Sequence, residues 1–251
     1  MEIHSAPFAA LVLVLIYNRS LTESPSFLSA LQSGLNVWVL DNSDRPGLNE
    51  KLAARYGCRY LSMGGNVGLP RAYNRAFEAL PAGTEQVVLL DDDTQVPAAF
   101  WKEVKRKDLR AVRVPPVYSQ QGLLLSPAEA RGDLIRAVKT PAEITDITAI
   151  NSGLVIPVRF LDELRYDERL FLDYADHDLF RKIRRNRIPV KVMDTALVQN
   201  FSAENRPSRA RFGIFCRDTK VFYENAPWKG WYVIARHGLG LLRAALSSKK
   251  H

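Results

Sequence analysis

The chain carries three consecutive carboxylates at the end of an apolar run: Val87-Val88-Leu89-Leu90 leads directly into Asp91-Asp92-Asp93-Thr94. Carboxylates this close repel one another, and the end of a buried strand gives them little water, so the arrangement calls for a cation. Side chains two residues apart on an extended segment point the same way, which lets Asp91 and Asp93 converge. Their hard oxygens suit Mg²⁺ or Mn²⁺, with the oxygens of a diphosphate completing the coordination shell. A solvated acidic turn is the competing reading, and the apolar run before the tract weighs against it.

A second acidic cluster, Asp173-Tyr174-Ala175-Asp176-His177-Asp178, precedes the basic stretch Phe180-Arg181-Lys182-Ile183-Arg184-Arg185. One aspartate at a helix start is explained by capping. Three exceed that need, and one of them can take the proton of an acceptor hydroxyl as a general base. Asp41-Asn42-Ser43-Asp44 follows another apolar run, where it can bond a base or ribose or close an Asx turn. Gly64-Gly65-Asn66-Val67-Gly68 opens a helical stretch that carries Arg71 and Asn74. Glycine permits close approach of backbone to ligand, and a helix start favours phosphate, although neither GxGxxG nor a Walker pattern is present.

These residues need elements to hold them. Leu11 to Tyr17, Val37 to Leu40, Tyr60-Leu61 and Val87 to Leu90 read as strands, and continuous rather than alternating apolar runs predict burial on both faces. Helical spacing appears between them, in Ser24 to Ser33, Leu48 to Tyr56 and Leu69 to Leu80. Alternation of strand and helix predicts a mainly parallel sheet, with Asp41, Asn66 and Asp91 along one edge at the strands' carboxyl ends. Further on, Ile144 to Ile150 and Leu154 to Val158 flank Asn151-Ser152-Gly153. Leu179 to Ile188 reads as a basic helix and Val190 to Val198 as a strand.

Composition sets the outer limits. The 251 residues are 47% hydrophobic and 25% charged, enough for a large core and against general disorder. The net charge of +8 favours anionic partners: nucleotide phosphates, nucleic acid or an anionic membrane. Cys58 and Cys216 lack metal-ligand spacing and read as free thiols in a reducing compartment. No run reaches the length of a membrane-spanning helix, and the apolar stretch from Ala9 to Tyr17 reads as a strand rather than a signal peptide. A cytoplasmic location is the expectation.

In this order the motifs resemble glycosyltransferase family 2, inverting enzymes of the GT-A fold, and in particular its rhamnosyltransferase-like members. The resemblance runs from about Leu11 to Asn205. It is carried by the first strand with Tyr17-Asn18, by Leu40-Asp41-Asn42-Ser43, by Asn66-x-Gly68-x(5)-Asn74 and by Leu90-Asp91-Asp92-Asp93. Asn151-Ser152-Gly153 and Phe171 to Asp178 with Arg181 look like the family's acceptor-side motifs. The implied fold is α/β: a mainly parallel, Rossmann-like sheet flanked by helices, in one domain over 8–225, with a donor half to about 95 and an acceptor half from 96.

The implied activity is transfer of a sugar from a nucleoside-diphosphate sugar to the hydroxyl of a saccharide or lipid-linked saccharide, in bacterial cell-surface polysaccharide, O-antigen or glycolipid synthesis. The resemblance assigns Tyr17, Asn18, Asp41, Asn66, Gly68, Arg71, Asn74, Asp91 and Asp92 to the donor, with Asp92 directed at ribose or sugar. It gives a divalent metal (Mg²⁺ or Mn²⁺) to Asp91 and Asp93. Asp176 becomes the base, with Asp173 and Asp178 as rivals, and Arg181 neutralises the leaving diphosphate. Two positions depart from the family: Asn200 stands in as the third metal ligand where many relatives have a histidine, and Arg71 occupies a position where a small residue is frequent.

Residues 226–251 read as a basic amphipathic helix and tail, with Arg236, Gly240, Arg243 and Ser247 on one face. Such a helix packs on the domain or rests on the inner face of a membrane. Two other functions compete. A nucleotidyltransferase also uses paired carboxylates, but begins with a glycine-rich basic loop where this chain has Tyr17-Asn18-Arg19-Ser20. A non-enzymatic basic module would bind nucleic acid or membrane, yet no recognised nucleic-acid motif appears, so nucleic acid is not an expected partner.

Overall fold

The computed structural model describes residues 10–45, 47–199 and 209–247, with the backbone alone for 241–247. The chain runs β1 (Ala10–Ile16), α1 (Pro25–Gln32), β2 (Asn36–Asp41), α2 (Leu48–Arg55), β3 (Arg59–Ser62), α3 (Leu69–Glu78), β4 (Gln86–Asp91), β5 (Thr94–Gln95) and α4 (Ala98–Val104). It continues with β6 (Val112–Val114), β7 (Val117–Ser119), β8 (Leu124–Ser126), β9 (Ala128–Arg131), β10 (Leu134–Arg136), β11 (Ile147–Thr148) and β12 (Val155–Pro157). The last elements are α5 (Ala175–Arg185), β13 (Val190–Val192), β14 (Leu197–Gln199), α6 (Arg209–Phe222) and α7 (Pro227–Ser247).

Seven strands form the central sheet in the order β13-β6-β12-β4-β1-β2-β3. The pairs β1–β2, β1–β4, β2–β3 and β6–β13 are parallel, and β12 runs antiparallel between β4 and β6. The apolar runs are explained by the two faces of this sheet. Leu11, Leu13 and Leu15 of β1 pack with Tyr73, Phe77 and Phe180 on one face. Val12, Val14 and Ile16 pack with Phe27, Phe100 and Trp101 on the other. A strand buried on both sides has no position for a polar residue, so its sequence shows no alternation. β3 is the edge strand and only half-buried, which is why its apolar signal is two residues long.

The register aligns the strand ends. Leu15 lies opposite Leu40 in β2 and Asp91 in β4, and Asp41 lies opposite Ser62 in β3. Asp41 and Asp91 therefore end at one edge, as the alternation of strand and helix predicts, and Asn66 is bonded to Asn42 beside them.

Two expectations need correction. The stretch from Val190 to Val198 is not one strand. It breaks after Val192, and β14 joins a separate four-stranded sheet ordered β5-β14-β7-β8. Met193 stays buried and Asp194 and Thr195 donate backbone N–H groups to Glu103, so the break is a bonded turn that the continuous apolar spacing hides. The basic helix begins at Ala175 rather than Leu179, and so takes Asp176 and Asp178 into its first turn. Negative charge is favourable there because the first backbone N–H groups are unpaired. α5 also ends at Arg185 rather than at Ile188, whereas the helix expected from residue 226 is present as α7.

The loop before α3 depends on a glycine. Gly68 has φ +87°, and a Cβ built on it would lie 2.6 Å from the carbonyl oxygen of Phe171. Leu69 N–H donates to that same oxygen at 2.8 Å. Phe171 is thus seated directly on the start of α3. Gly68→Ala combines an unfavourable backbone conformation with a backbone clash, and it is expected to cost roughly 1–3 kcal/mol. Chemical denaturation of the two proteins measures the difference, and an unchanged midpoint would mean Phe171 is not held against Gly68.

Candidate active site

The backbone of the acidic tract is fixed by α1. Ser24 caps that helix, accepting the N–H of Phe27 at 3.1 Å, and its hydroxyl donates to the carbonyl of Asp92 at 2.7 Å. Ser26 donates to the carbonyls of Asp91 and Thr94, the latter at 2.9 Å, and accepts the N–H of Thr94 at 3.0 Å. Both serines are fully buried. Each satisfies backbone groups that would otherwise be orphaned where β4 ends.

Groups from three further parts of the chain then meet the tract. Ser152 donates to Asp91 Oδ2, because the antiparallel β12 places residues 152–154 beside the end of β4. Gln199 comes from β14, which pairs with β5 so that Gln199 lies opposite Thr94. Its Nε2 donates to Asp91 Oδ2 at 3.3 Å and to Asp93 Oδ1 at 3.0 Å. Two carboxylates sharing one donor must have converging oxygens, which is the geometry the i, i+2 spacing predicts. Asp92 turns the other way. It accepts the N–H of Tyr17 at 3.0 Å and pairs with Arg19 Nε at 3.1 Å.

Burial raises all three carboxyls above their ordinary value. Asp91 is pushed furthest, to about 7: loss of water is the largest cause, the Ser152 hydrogen bond opposes it, and the charges of Asp93, Asp92 and Asp176 add to it. Asp176 therefore lies within electrostatic reach of the tract.

The three rival aspartates separate by their partners. Asp173 is held by Arg211 through two bonds of 2.5 and 2.7 Å. Asp178 pairs with Lys182 one turn later at 3.2 Å. Asp176 accepts its neighbour's N–H, from His177 at 2.8 Å, with the imidazole Nε2 3.9 Å away, and among the described residues no lysine or arginine pairs with it. His177 is turned toward Thr148, at 2.7 Å from Nδ1 to the hydroxyl. Among the described residues Asp176 is thus the one aspartate of the three without a lysine or arginine partner.

Other expected site residues are placed differently. Tyr17 and Asn18 both donate to Asp44 Oδ2, at 3.1 and 2.9 Å, so the first and second strand ends are clasped together. Asp41 is 1% exposed and accepts bonds from the Tyr60 hydroxyl at 2.7 Å and the Ser43 N–H at 3.1 Å. Asn66 accepts from Asn42 and from Gly68 N–H, which shapes the loop before α3. Asn74 bonds Tyr166 backbone through both ends of its amide, and Arg71 lies 3.7 Å from Glu168, so both face the segment 165–168. Arg181 donates to Asp133 at 3.0 Å and to the carbonyl of Phe222 at 2.7 Å, and its guanidinium covers the Phe222 ring. It staples α5 to α6, away from the tract. Asn200 lies outside the described residues.

Several contributors carried no sequence signal of their own. Tyr166, buried and bonded to Asn151 at 2.7 Å, feels the charges of Asp176 and Asp91 together. Asp218 of α6 is fully buried, and its Oδ2 accepts the N–H groups of Phe171, Leu172 and Asp173 at 3.2, 2.8 and 2.9 Å. One carboxylate oxygen thus orders the loop that leads into Asp176.

Residues 11–109 match the model of Glycosyl transferase family 2. The match spans β1 to α4 and ends beyond the acidic tract. No curated protein matches the sequence. Among solved structures the chain is similar to GalNAc-T7, a structure containing UDP, GalNAc and Mn²⁺, with a TM-score of 0.58 and 14% identity. The likeness covers 87% of this chain and 51% of that one, so this chain spans about half its length. It is also similar to residues 1–349 of S. aureus TarS, with a TM-score of 0.55 and 16% identity, over 90% of this chain and 69% of that one. The fold is the mixed α/β, GT-A fold of glycosyltransferases, and the acidic tract lies inside the part that matches the family.

Among the described residues no three His, Cys, Asp or Glu side chains form a metal cage. The donor set nonetheless fits a hard divalent cation shared with a ligand diphosphate, for which one or two carboxylates suffice. Asp91 and Asp93 converge, and Gln199 Oε1 beside them is buried without a hydrogen-bond partner.

The raised Asp91 has a pH signature. Between 3.8 and about 7 the folded chain keeps a proton that the unfolded chain has lost. Stability from this group is therefore complete below 3.8 and disappears as pH rises through 7. In metal-free buffer Asp91→Asn is expected to melt above the wild-type protein at pH 8, and the gap should close toward pH 4. Melting curves across this range check it, and a gap independent of pH would contradict the burial of the charge.

Proposed function

We propose that this chain transfers a sugar from a nucleoside-diphosphate sugar to an acceptor hydroxyl with inversion, using Asp91 and Asp93 at the donor diphosphate and Asp176 as base. One observation carries the reading: the converging carboxylates of Asp91 and Asp93 share an electrostatic environment with Asp176, which among the described residues is the aspartate of its cluster without a lysine or arginine partner. The family 2 match over the tract and the glycosyltransferase fold support it.

A divalent cation held by Asp91 and Asp93 would supply positive charge to the departing diphosphate. The amide of Gln199 lies against both carboxylates and, turned over, would present Oε1 to the same cation. Arg19, partly exposed beside Asp92, is the cation best placed to meet a phosphate, since Arg181 is occupied elsewhere. Tyr17, Asn18 and Asp44 form the wall beside the ends of β1 and β2, where the ribose and base would lie.

The chemistry requires one displacement. Asp176 takes the proton of the acceptor hydroxyl, the oxygen forms its bond to the anomeric carbon, and the bond from that carbon to the diphosphate oxygen breaks with its electron pair. The acceptor proposed is a saccharide or lipid-linked saccharide, as in surface-polysaccharide synthesis. The finer likeness to rhamnosyltransferases rests on the sequence motifs.

A thermal-shift screen of nucleotide sugars with and without Mn²⁺ identifies the donor. With that donor, Asp176→Asn is expected to lower transfer by at least about 100-fold while leaving donor affinity unchanged. Turnover within about threefold of wild type would remove Asp176 from the role.

A further inference from the structure

α7 shows its apolar side to solvent. Trp228 is 69% exposed, Trp231 60%, Tyr232 57% and Leu239 56%, and Ala235 is exposed with them. These positions recur at three- and four-residue steps, so they form one stripe along the helix. The opposite side is occupied. A Cβ on Gly230 would lie 3.2 Å from Tyr223 Cβ, the His237 ring is 4.3 Å from that of Phe215, and Val233 packs on Phe222 and Tyr223. The stripe therefore cannot be buried by rotating the helix on its own domain. Large aromatic and aliphatic groups left in water as a contiguous stripe mark a docking surface.

Charge identifies the occupant. The sequence from Pro227 to His251 contains no Asp or Glu, but holds Lys229, Arg236, Arg243, Lys249 and Lys250. Arg236 is exposed next to the stripe, and Lys220 of α6 lies 5.0 Å above the Trp231 ring. The acidic groups near this end are paired: Glu224 with Arg169, and Asp133 with Lys229 and Arg181. Tryptophan and tyrosine favour the boundary between headgroups and acyl chains, and basic residues beside them favour anionic lipid. Among the described residues no helix is long and apolar enough to cross a membrane, so the contact would lie in the plane of the surface.

We propose that Trp228, Trp231, Tyr232 and Leu239 form a lipid-docking stripe that seats this chain on an anionic membrane surface. The proposal does not depend on sugar transfer, and its test reads lipid binding alone.

The chain carries its own reporter. Trp38 and Trp101 are 5% and 4% exposed, so among its four tryptophans only Trp228 and Trp231 can change environment on docking. The full chain is titrated at low salt with vesicles of phosphatidylcholine alone and of phosphatidylcholine with phosphatidylglycerol, and binding is read by emission shift and co-sedimentation. Binding to the mixed vesicles with a blue shift is expected, at least about tenfold weaker for neutral vesicles and for the Trp231→Glu/Leu239→Glu double variant. Circular dichroism confirms that the variant, altered only at exposed sites, remains folded. Failure to bind anionic vesicles, or equal binding by the variant, would overturn the proposal. A lipid-free dimer by light scattering that the double variant dissolves would assign the stripe to a second copy and would also overturn it.

Discussion

The structure is organised around the energetic cost of placing carboxylates where a buried strand ends. β4 delivers Asp91 to the centre of the sheet edge, and Asp92 and Asp93 follow before the chain can turn away. Desolvation and mutual repulsion act on the same atoms, and they hold the Asp91 proton up to about 7. Everything nearby answers that cost. Ser24 and Ser26 fix the backbone, Ser152 and Gln199 donate to the side chains, and Arg19 draws Asp92 aside. Under the proposed function, such a site would exchange a proton for a divalent cation.

The second acidic cluster is governed from further away. Phe171 rests on Gly68 at the front, while Asp218 gathers the N–H groups of residues 171–173 from behind. α5 then starts in the left-handed conformation of Tyr174, at φ 64°, and presents Asp176 in its first turn. The loop that leads into Asp176 is thus held by α6, outside the segment that matches the family, while the tract lies inside it. The two ends of the site are supported by different parts of the chain, and small shifts of α6 would be felt at Asp176.

How far the sequence could be read follows from range. β1 and β4 were evident because burial on both faces leaves an unbroken apolar run, and the shared edge of Asp41 and Asp91 followed from the parallel alternation. The pairing of Asp91 with Asp93 came from the period of an extended chain. The choice among Asp173, Asp176 and Asp178 was not available locally, since Asp173 is neutralised by Arg211, far along the chain. Gln199 gave no signal because its three-residue strand pairs with β5, and that register depends on the tertiary fold. Arg181 matched a motif, yet the direction of its side chain was decided by α6. The outward stripe of α7 was hidden for the same reason: several apolar sides were possible, and packing on α6 selected which one faces solvent.

The central proposal is that Asp91 and Asp93 bind a divalent cation, which displaces the proton that burial favours on Asp91. Calorimetric titration of Mn²⁺ at pH 6.5, in buffers of different ionisation enthalpy, tests it directly by counting protons. The account predicts one Mn²⁺ bound per chain with release of a fraction of a proton, affinity at least about tenfold lower in Asp93→Asn, and no proton release in Asp91→Asn. Mn²⁺ binding that is unaffected by either substitution, or no binding at millimolar Mn²⁺, would contradict it.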